Sequence, residues 1–595
     1  MSRFGERVDE FLAELFRLNP VTATAVGNHD HDGEWPDLSE AGRDERLAFV
    51  ELWRGIFEGV PGTELERDDR VDRHLLIAEL LSMQFDETEL REGAWDALSY
   101  VYLIGGGLFP LLAREFAPPA TRLTSAASRL EGVPALLREA RRELGSMPGR
   151  PPSRLHTEMA IKQLPGVASL ADQAVAAAQA AAGDPAVAAL EARLLQAART
   201  AHQAIADFIA FLRDELLTRS VGEGRLGPEL YAHKLRYTMR SDLTGQQILA
   251  QAWREYEAVR AEMVRIARQI WHEWLPGEPA PTAALDGSQE AADVRAVSAV
   301  CEAIGRAHHQ PDELLDYARA CYRDIVDFCK ARNVITIPDE PLAIEWTPEF
   351  LRETATAMLD APGPLDRGEK TYYFITPPPP EWPKEQVESY MAEENDRQVD
   401  LTTIHEGTPG HYLQLVYSNR CPSIARAVFQ SGVFIEGWAV YVTQVMMDLG
   451  YKADDPALML IHWKFYLRAI TNAIIDVEIH AGSMTEEQAV ELMVRGGFQE
   501  EAEARKKWDR ARLTSTQLST YYVGSMEMWR LERDARIAAA VASGDPRGAA
   551  AVPEARIVGG LGQTPGFDYK AHLESVIAHG SPPIPLIRRI LLGAE

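Results

Sequence analysis

Residues 403–414 read TIHEGTPGHYLQ. His405 and His411 supply two imidazoles, and Glu406 supplies a carboxylate beside the first. A hydrolytic zinc site needs three protein ligands, one open position and a base near the attacking water. The familiar helical solution, H-E-x-x-H, sets the two histidines one turn apart. Here the spacing is H-E-x-x-x-x-H, two residues longer. On a straight helix six residues turn through about 600°, which leaves the two rings about 120° apart. They converge only across a kink, a bulge or a break. Pro409 removes a backbone donor and Gly410 accepts unusual dihedrals, so the chain carries the means to break there. The competing reading is a helix corner whose histidines are hydrogen-bonded for structural reasons.

A third ligand should come from another element. FIEGWAVYVTQVM places Glu436 among Phe434, Ile435, Trp438, Val440 and Tyr441, the setting of a buried helix. A buried carboxylate needs a partner, and a zinc ion would be one. Three further groups are weaker. His29-Asp30-His31-Asp32 could hold a cation, but its composition reads as a solvated loop. Asp476 and His480 are four apart on a helix and could form a carboxylate–imidazole pair, either supporting a ligand or donating a proton. A satisfied core histidine is the alternative. Gln517 and Tyr521 share a helix face, and a tyrosine hydroxyl can stabilise an oxyanion. Tyr522 is the alternative to Tyr521, because adjacent helical residues point to different sides. No Walker loop, dinucleotide fingerprint or GxSxG elbow is found.

The elements that must position these residues are mostly helical. DEFLAELFRL spaces its apolar residues at three and four. Residues 171–216 read as two alanine-rich helices around Gly183-Asp184-Pro185, with alanines that allow close packing. Breakers crowd residues 275–289, which gives an expected N-terminal helical lobe over 1–275 and a catalytic lobe over 290–595. Tyr372–Ile375 is a short strand candidate, followed by four prolines. Helix is expected to run from Lys384 through His405, and Thr485-x-x-Gln488 predicts a capping box. The fold class is therefore mainly α, with a few short strands near the site.

Composition excludes some classes. The 595 residues carry 61 Lys and Arg against 89 Asp and Glu, a formal net charge of −28. Such a chain repels nucleic acid and anionic membranes. No apolar run approaches the ~20 residues needed to cross a bilayer, and the N-terminal stretch reads as an amphipathic helix rather than a signal peptide. Four cysteines without CxxC spacing predict reduced thiols and a cytoplasmic location.

HEGTPGHYLQ, then EGWAVY, then the D-x-x-x-H and Q-x-x-x-Y-x-x-G segments resemble a large bacterial family of unknown function, DUF885. FRLNPVTATAVGNHDHDGEWPDLS resembles that family's opening, so the resemblance covers nearly the whole chain as one continuous unit. The resemblance implies a relation to gluzincin-like zinc peptidases and a mostly helical fold around a deep cleft. It implies zinc held by His405, His411 and Glu436, with Glu406 as the catalytic carboxylate. Asp476, His480, Gln517 and Tyr521 fall on its downstream motifs. The chain departs from the common pattern at Asn472, where arginine is frequent, at Val477-Glu478 and at Thr443. The expected activity is hydrolysis of short peptides, with Glu406 as base and Tyr521 or His480 donating to the oxyanion. A zinc hydrolase of another amide or ester, or a non-catalytic helical binding protein, are the alternatives; the presence of Glu406 beside His405 favours an enzyme.

Overall fold

The computed structural model describes residues 3–348, 352, 356–553 and 564–593. The fold is mainly α, with one three-stranded sheet among the described residues. The chain forms two compact units. The first is Met1–Leu226 with Pro362–Glu369; the second is Gly227–Ala361 with Lys370–Glu595.

In the first unit, the Arg3–Leu18 helix buries Phe4, Val8, Phe11, Leu12, Leu15 and Phe16, the stripe its spacing predicts. The alanine-rich segment folds as two long helices, Arg154–Ala180 and Glu191–Phe211. Between them Asp184 caps a four-residue turn, Pro185–Ala188, by accepting the Ala186 N–H. Ala171, Ala174 and Ala178 on one helix and Ala197, Ala198 and Ala201 on the other are buried, as close packing requires.

The His29–Asp32 loop differs from the solvated loop expected. The His29 ring stacks on Phe116, with centroids 3.6 Å apart. Its Nδ1 lies 3.0 Å from Asp32 and its Nε2 3.0 Å from Asp366. Asp32 is buried and also accepts from the Thr24 hydroxyl at 2.7 Å. The histidine is a pin between two stretches of the first unit. The sequence could not show this, because Asp366 is 337 residues away.

In the second unit, strands β1 (Leu342–Trp346), β2 (Ala357–Asp360) and β3 (Thr371–Ile375) form a sheet of order β1-β3-β2. β1 runs parallel to β3, pairing Leu342 with Thr371, and β2 runs antiparallel, pairing Ala357 with Ile375. The candidate at Tyr372–Ile375 is thus the central strand. The helix expected from Lys384 through His405 is two, Lys384–Glu393 and Asp396–Glu406. Asn395 breaks it: its side chain accepts the N–H groups of Arg397 and Gln398 and caps the second helix. The capping box at Thr485 and Gln488 is present.

The breaker-rich stretch at 275–289 is not where the units divide. It joins the Gly245–Trp274 and Gln289–Gly305 helices, which pack together inside the second unit. The chain leaves the first unit at Leu226. No single helix among the described residues is long and apolar enough to cross a membrane. None of the four cysteines is in a disulfide.

The His29 pin makes a pH prediction. Burial alone would lower the imidazole pKa, but Asp32 and Asp366 outweigh it and raise it to about 9. A raised histidine pKa contributes stability that is complete below the unfolded value near 6.5 and lost as pH rises through about 9. His29→Gln should therefore lower the melting temperature at pH 6, and the gap from wild type should close by pH 10. Thermal melts of both proteins across that range check this; a pH-independent gap would remove the charge from the explanation.

Candidate metal centre

The motif helix, Asp396–Glu406, ends where Gly407 leaves helical dihedrals, and a new helix, His411–Asn419, begins four residues later. The break predicted from Pro409-Gly410 is there, with the Thr408–Pro409 bond cis. Gly410 adopts the unusual dihedrals expected of it, φ −74° with ψ −137°, and a Cβ on it would lie 2.0 Å from the His405 carbonyl oxygen and 2.4 Å from that of Ile404. Only a residue without a side chain lets the chain fold back onto its own last turn. That fold-back brings the two imidazoles together, with ring centroids 4.6 Å apart and planes at 80°.

Glu436 comes from the Gly432–Asp448 helix, which is buried along most of its length. Two of its neighbours fix its position. Trp438 donates its indole N–H to the Pro409 carbonyl at 2.9 Å, clamping the break. Gly437 meets Gly524 of the Ser519–Ala542 helix so closely that a Cβ on Gly437 would lie 2.3 Å from the Gly524 carbonyl carbon. The glycines of EGWA and of Q-x-x-x-Y-x-x-G are therefore one backbone-to-backbone crossing.

His405, His411 and Glu436 then offer one ligand atom each, all within 4.8 Å of one another. The Glu436 carboxylate is 3.9 Å from His405 Nε2 and 3.5 Å from His411 Nε2. The His405 and His411 side chains are 8% and 10% exposed and that of Glu436 is 23% exposed, so the group opens mainly past the carboxylate. The Nδ1 atoms of both histidines are buried without a hydrogen-bond partner. Phe465 closes the group on one side, its ring edge-on to His405 with centroids 5.5 Å apart.

The charges fit a cation. Burial, then the nearness of His411, pushes His405 down to about 3, so its imidazole is neutral. Burial would lower His411 too, but Glu436 and Glu406 hold it above its ordinary value. Burial raises Glu436, and the His411 hydrogen bond, both imidazoles and the Tyr521 hydroxyl outweigh it and hold it low. Two carboxylates side by side thus demand positive charge, which without an ion is drawn from His411. A divalent cation would supply that charge and leave both imidazoles neutral, as ligands must be. The donor set of two nitrogens and one oxygen is that of catalytic zinc.

Glu406 is pushed up to about 7, first by burial and also by Glu436, against the opposing pull of His411 and the Leu359 N–H of β2. A cation held by the neighbouring ligands would lower that value and leave Glu406 a carboxylate able to take a proton.

Tyr521, and not Tyr522, faces the group. The Tyr521 hydroxyl hydrogen-bonds Glu436, and Gln517 Nε2 donates to it at 3.4 Å. Tyr522 is fully buried on the other side of the helix, toward Glu255 and Tyr466. His480 sits elsewhere. Its Nε2 lies 2.7 Å from the Ala511 carbonyl and 2.9 Å from that of Thr514, and its ring stacks on Tyr231. Asp476 accepts from Tyr231, Ser519 and the Thr516 N–H. The expected oxyanion role of His480 gives way to a structural one: it and Asp476 tie the segment that carries Gln517 and Tyr521.

Among the departures, the Thr443 hydroxyl bonds back to the Ala439 carbonyl at 2.8 Å. Asn472 is buried, with its Oδ1 unpartnered. Sequence reasoning missed Phe465, the Trp438 clamp and the Leu359 N–H. Each acts through a contact that only the folded chain creates.

With this geometry in view, the family assignment follows. Residues 20–591 match the family described as "Bacterial protein of unknown function (DUF885)", and the chain belongs to it. A solved structure described as a "putative lipoprotein of unknown function" from Shewanella oneidensis is 30% identical, with each chain wholly covered and a TM-score of 0.81. A second, a "putative lipoprotein" from Colwellia psychrerythraea, shares the fold at 15% identity, with a TM-score of 0.76 over 99% of this chain and 97% of its own. No curated protein matches.

The close approach at Gly410 is testable. Gly410→Ala should push the two histidines apart and weaken zinc binding by about 10–100-fold, the range for lost ligand support. A competitive zinc titration measures it, and unchanged affinity would show that the fold-back does not set the ligand spacing.

Proposed function

We propose that the chain is a zinc-dependent peptidase acting on short peptides. The observation that carries this reading is the convergence of His405, His411 and Glu436 beside a separate buried carboxylate, Glu406. A purely structural metal site has no use for an adjacent base. When bound, the ion would act as a Lewis acid that lowers the pKa of water and polarises a carbonyl.

The chain's own residues do the rest. Glu406 accepts the proton of the attacking water and passes it to the leaving amine. The Tyr521 hydroxyl, which donates to Glu436 in the resting site, turns its proton toward the carbonyl oxygen as negative charge develops there. Phe465 and the surrounding apolar helices exclude water, which strengthens both interactions. The low exposure of the His405, His411 and Glu436 side chains, 8%, 10% and 23%, favours a thin, extended chain over the surface of a folded protein as substrate. As to location, the reduced thiols favour the cytoplasm, whereas two structural relatives are described as lipoproteins; cell fractionation separates these.

Two variants test the chemistry against a mixed peptide pool. Glu406→Gln should cut turnover about 10²–10⁴-fold while keeping one metal per chain, because the amide holds the shape but cannot take the proton. Loss of the metal would make Glu406 a ligand instead. Cleavage that persists in chelator would sink the zinc reading, and activity confined to esters would move it to another hydrolase.

Tyr521→Phe should lower kcat about 10²–10³-fold with KM little changed and one metal still bound per chain, since the hydroxyl's work on substrate is done on charge that develops in the transition state. An unaltered kcat would remove Tyr521 from the reaction.

A further inference from the structure

Beyond the ligands, the second unit gathers positive charge beside the metal centre. The Glu501–Leu513 helix presents Lys507 and Arg510, three residues apart on one face. Arg510 donates to Gln517 Oε1 at 3.2 Å and also reaches the Tyr521 hydroxyl. That hydroxyl in turn bonds Glu436. The Arg510 guanidinium is therefore one tyrosine hydroxyl away from a candidate metal ligand. A second line leads to the same place. Phe465, which closes over His405, lies three residues before Arg468 on the Pro456–His480 helix, so the two share a face.

Lys507 is half-buried and, among the described residues, has no hydrogen bond or ion pair. Burial, then the Arg468 and Arg510 guanidiniums, pushes its ammonium down to about 7. The nearby acids do not balance it. Glu393 is already held by Lys464 at 2.9 Å and by Arg468, and Glu503 pairs with Lys506 at 3.1 Å. In a chain of net charge −28, cations crowded together beside a candidate reaction centre repel one another. They are suited to an incoming anion.

We infer that Lys507 and Arg510 form a subsite for a carboxylate of the substrate, close to the bond that is cut. This inference rests on the peptidase reading above. The carboxylate could be the peptide's C-terminus or an acidic side chain. A residue spans about 3.3–3.6 Å of extended chain, and one hydroxyl separates Arg510 from Glu436. A terminal carboxylate held here would therefore put the scissile bond one or two residues from the C-terminus. The protein would then trim peptides from that end.

Three peptides of one sequence test this on the zinc-loaded protein: a free C-terminal acid, a C-terminal amide, and an amide whose last residue is glutamate. The acid should be cleaved with kcat/KM about 10–100-fold above the neutral amide, the worth of hydrogen bonds to a charged group. A glutamate amide that matches the acid would assign the carboxylate to a side chain. Lys507→Met should collapse the acid-to-amide ratio toward one, and Lys507→Arg should restore part of it. Equal, chelator-sensitive cleavage of acid and amide by the wild type would overturn the subsite and leave the peptidase reading standing. If no peptide is cleaved, the peptidase reading fails, and calorimetric binding of the same peptides to the metal-free protein decides the subsite. Tighter binding of the acid, lost in Lys507→Met, would keep it; equal binding would overturn it.

Discussion

The site depends on an exclusion: there is no room for a side chain at residue 410. The chain doubles back so tightly that the Gly410 backbone rests on the carbonyls of Ile404 and His405. A continuous helix would hold the two imidazoles about a third of a turn apart. The doubled-back chain holds their centroids at 4.6 Å. A second exclusion, at Gly437 and Gly524, sets the next layer. It draws the helix of Glu436 against the helix of Tyr521, so that a candidate ligand and its hydrogen-bonding tyrosine are placed by one crossing. Trp438 links the two exclusions through the Pro409 carbonyl.

Electrostatics then separates the roles of two carboxylates thirty residues apart in sequence but adjacent in space. Glu436 is held low by two imidazoles and a tyrosine hydroxyl, so it remains an anion fit to bind a cation. Glu406 lacks that support and is raised toward neutrality. Burial is common to both; the difference lies in the partners each receives. One carboxyl is suited to hold charge and the other to exchange a proton, a division that environment imposes on chemically identical groups.

Much of this could be read before folding. The mainly helical class, the central strand at Tyr372–Ile375 and the break at Pro409-Gly410 all follow from local signals. The choice of Glu436 as a third ligand followed from a carboxylate in an apolar helix. Local signals failed where long-range contacts decide. Asn395 is a strong cap residue, yet the helical pattern on both sides concealed the break. The 275–289 breakers mark a surface connection between two helices that pack together, not a boundary. His29 and His480 are used by partners far away in sequence, and local spacing alone cannot distinguish a pin from a cation ligand at His29 or from a proton donor at His480. Arg468, Lys507 and Arg510 look like ordinary charges on helices, and only the fold assembles them.

The membership of Pro362–Glu369 in the first unit bears on how the protein is made. That unit is otherwise complete by Leu226, but His29 cannot meet Asp366 until 140 further residues have been translated. At about 5–20 residues per second, that interval is roughly 7–30 s. During it, the nascent first unit has its helices but lacks one wall of its pin. The segment also lies between β2 and β3, so no single cut of the chain yields both units intact. Expression of the N-terminal 226 residues alone would produce a unit with a permanent vacancy beside His29, and a circular permutation that places Pro362–Glu369 early would shorten the wait on the ribosome.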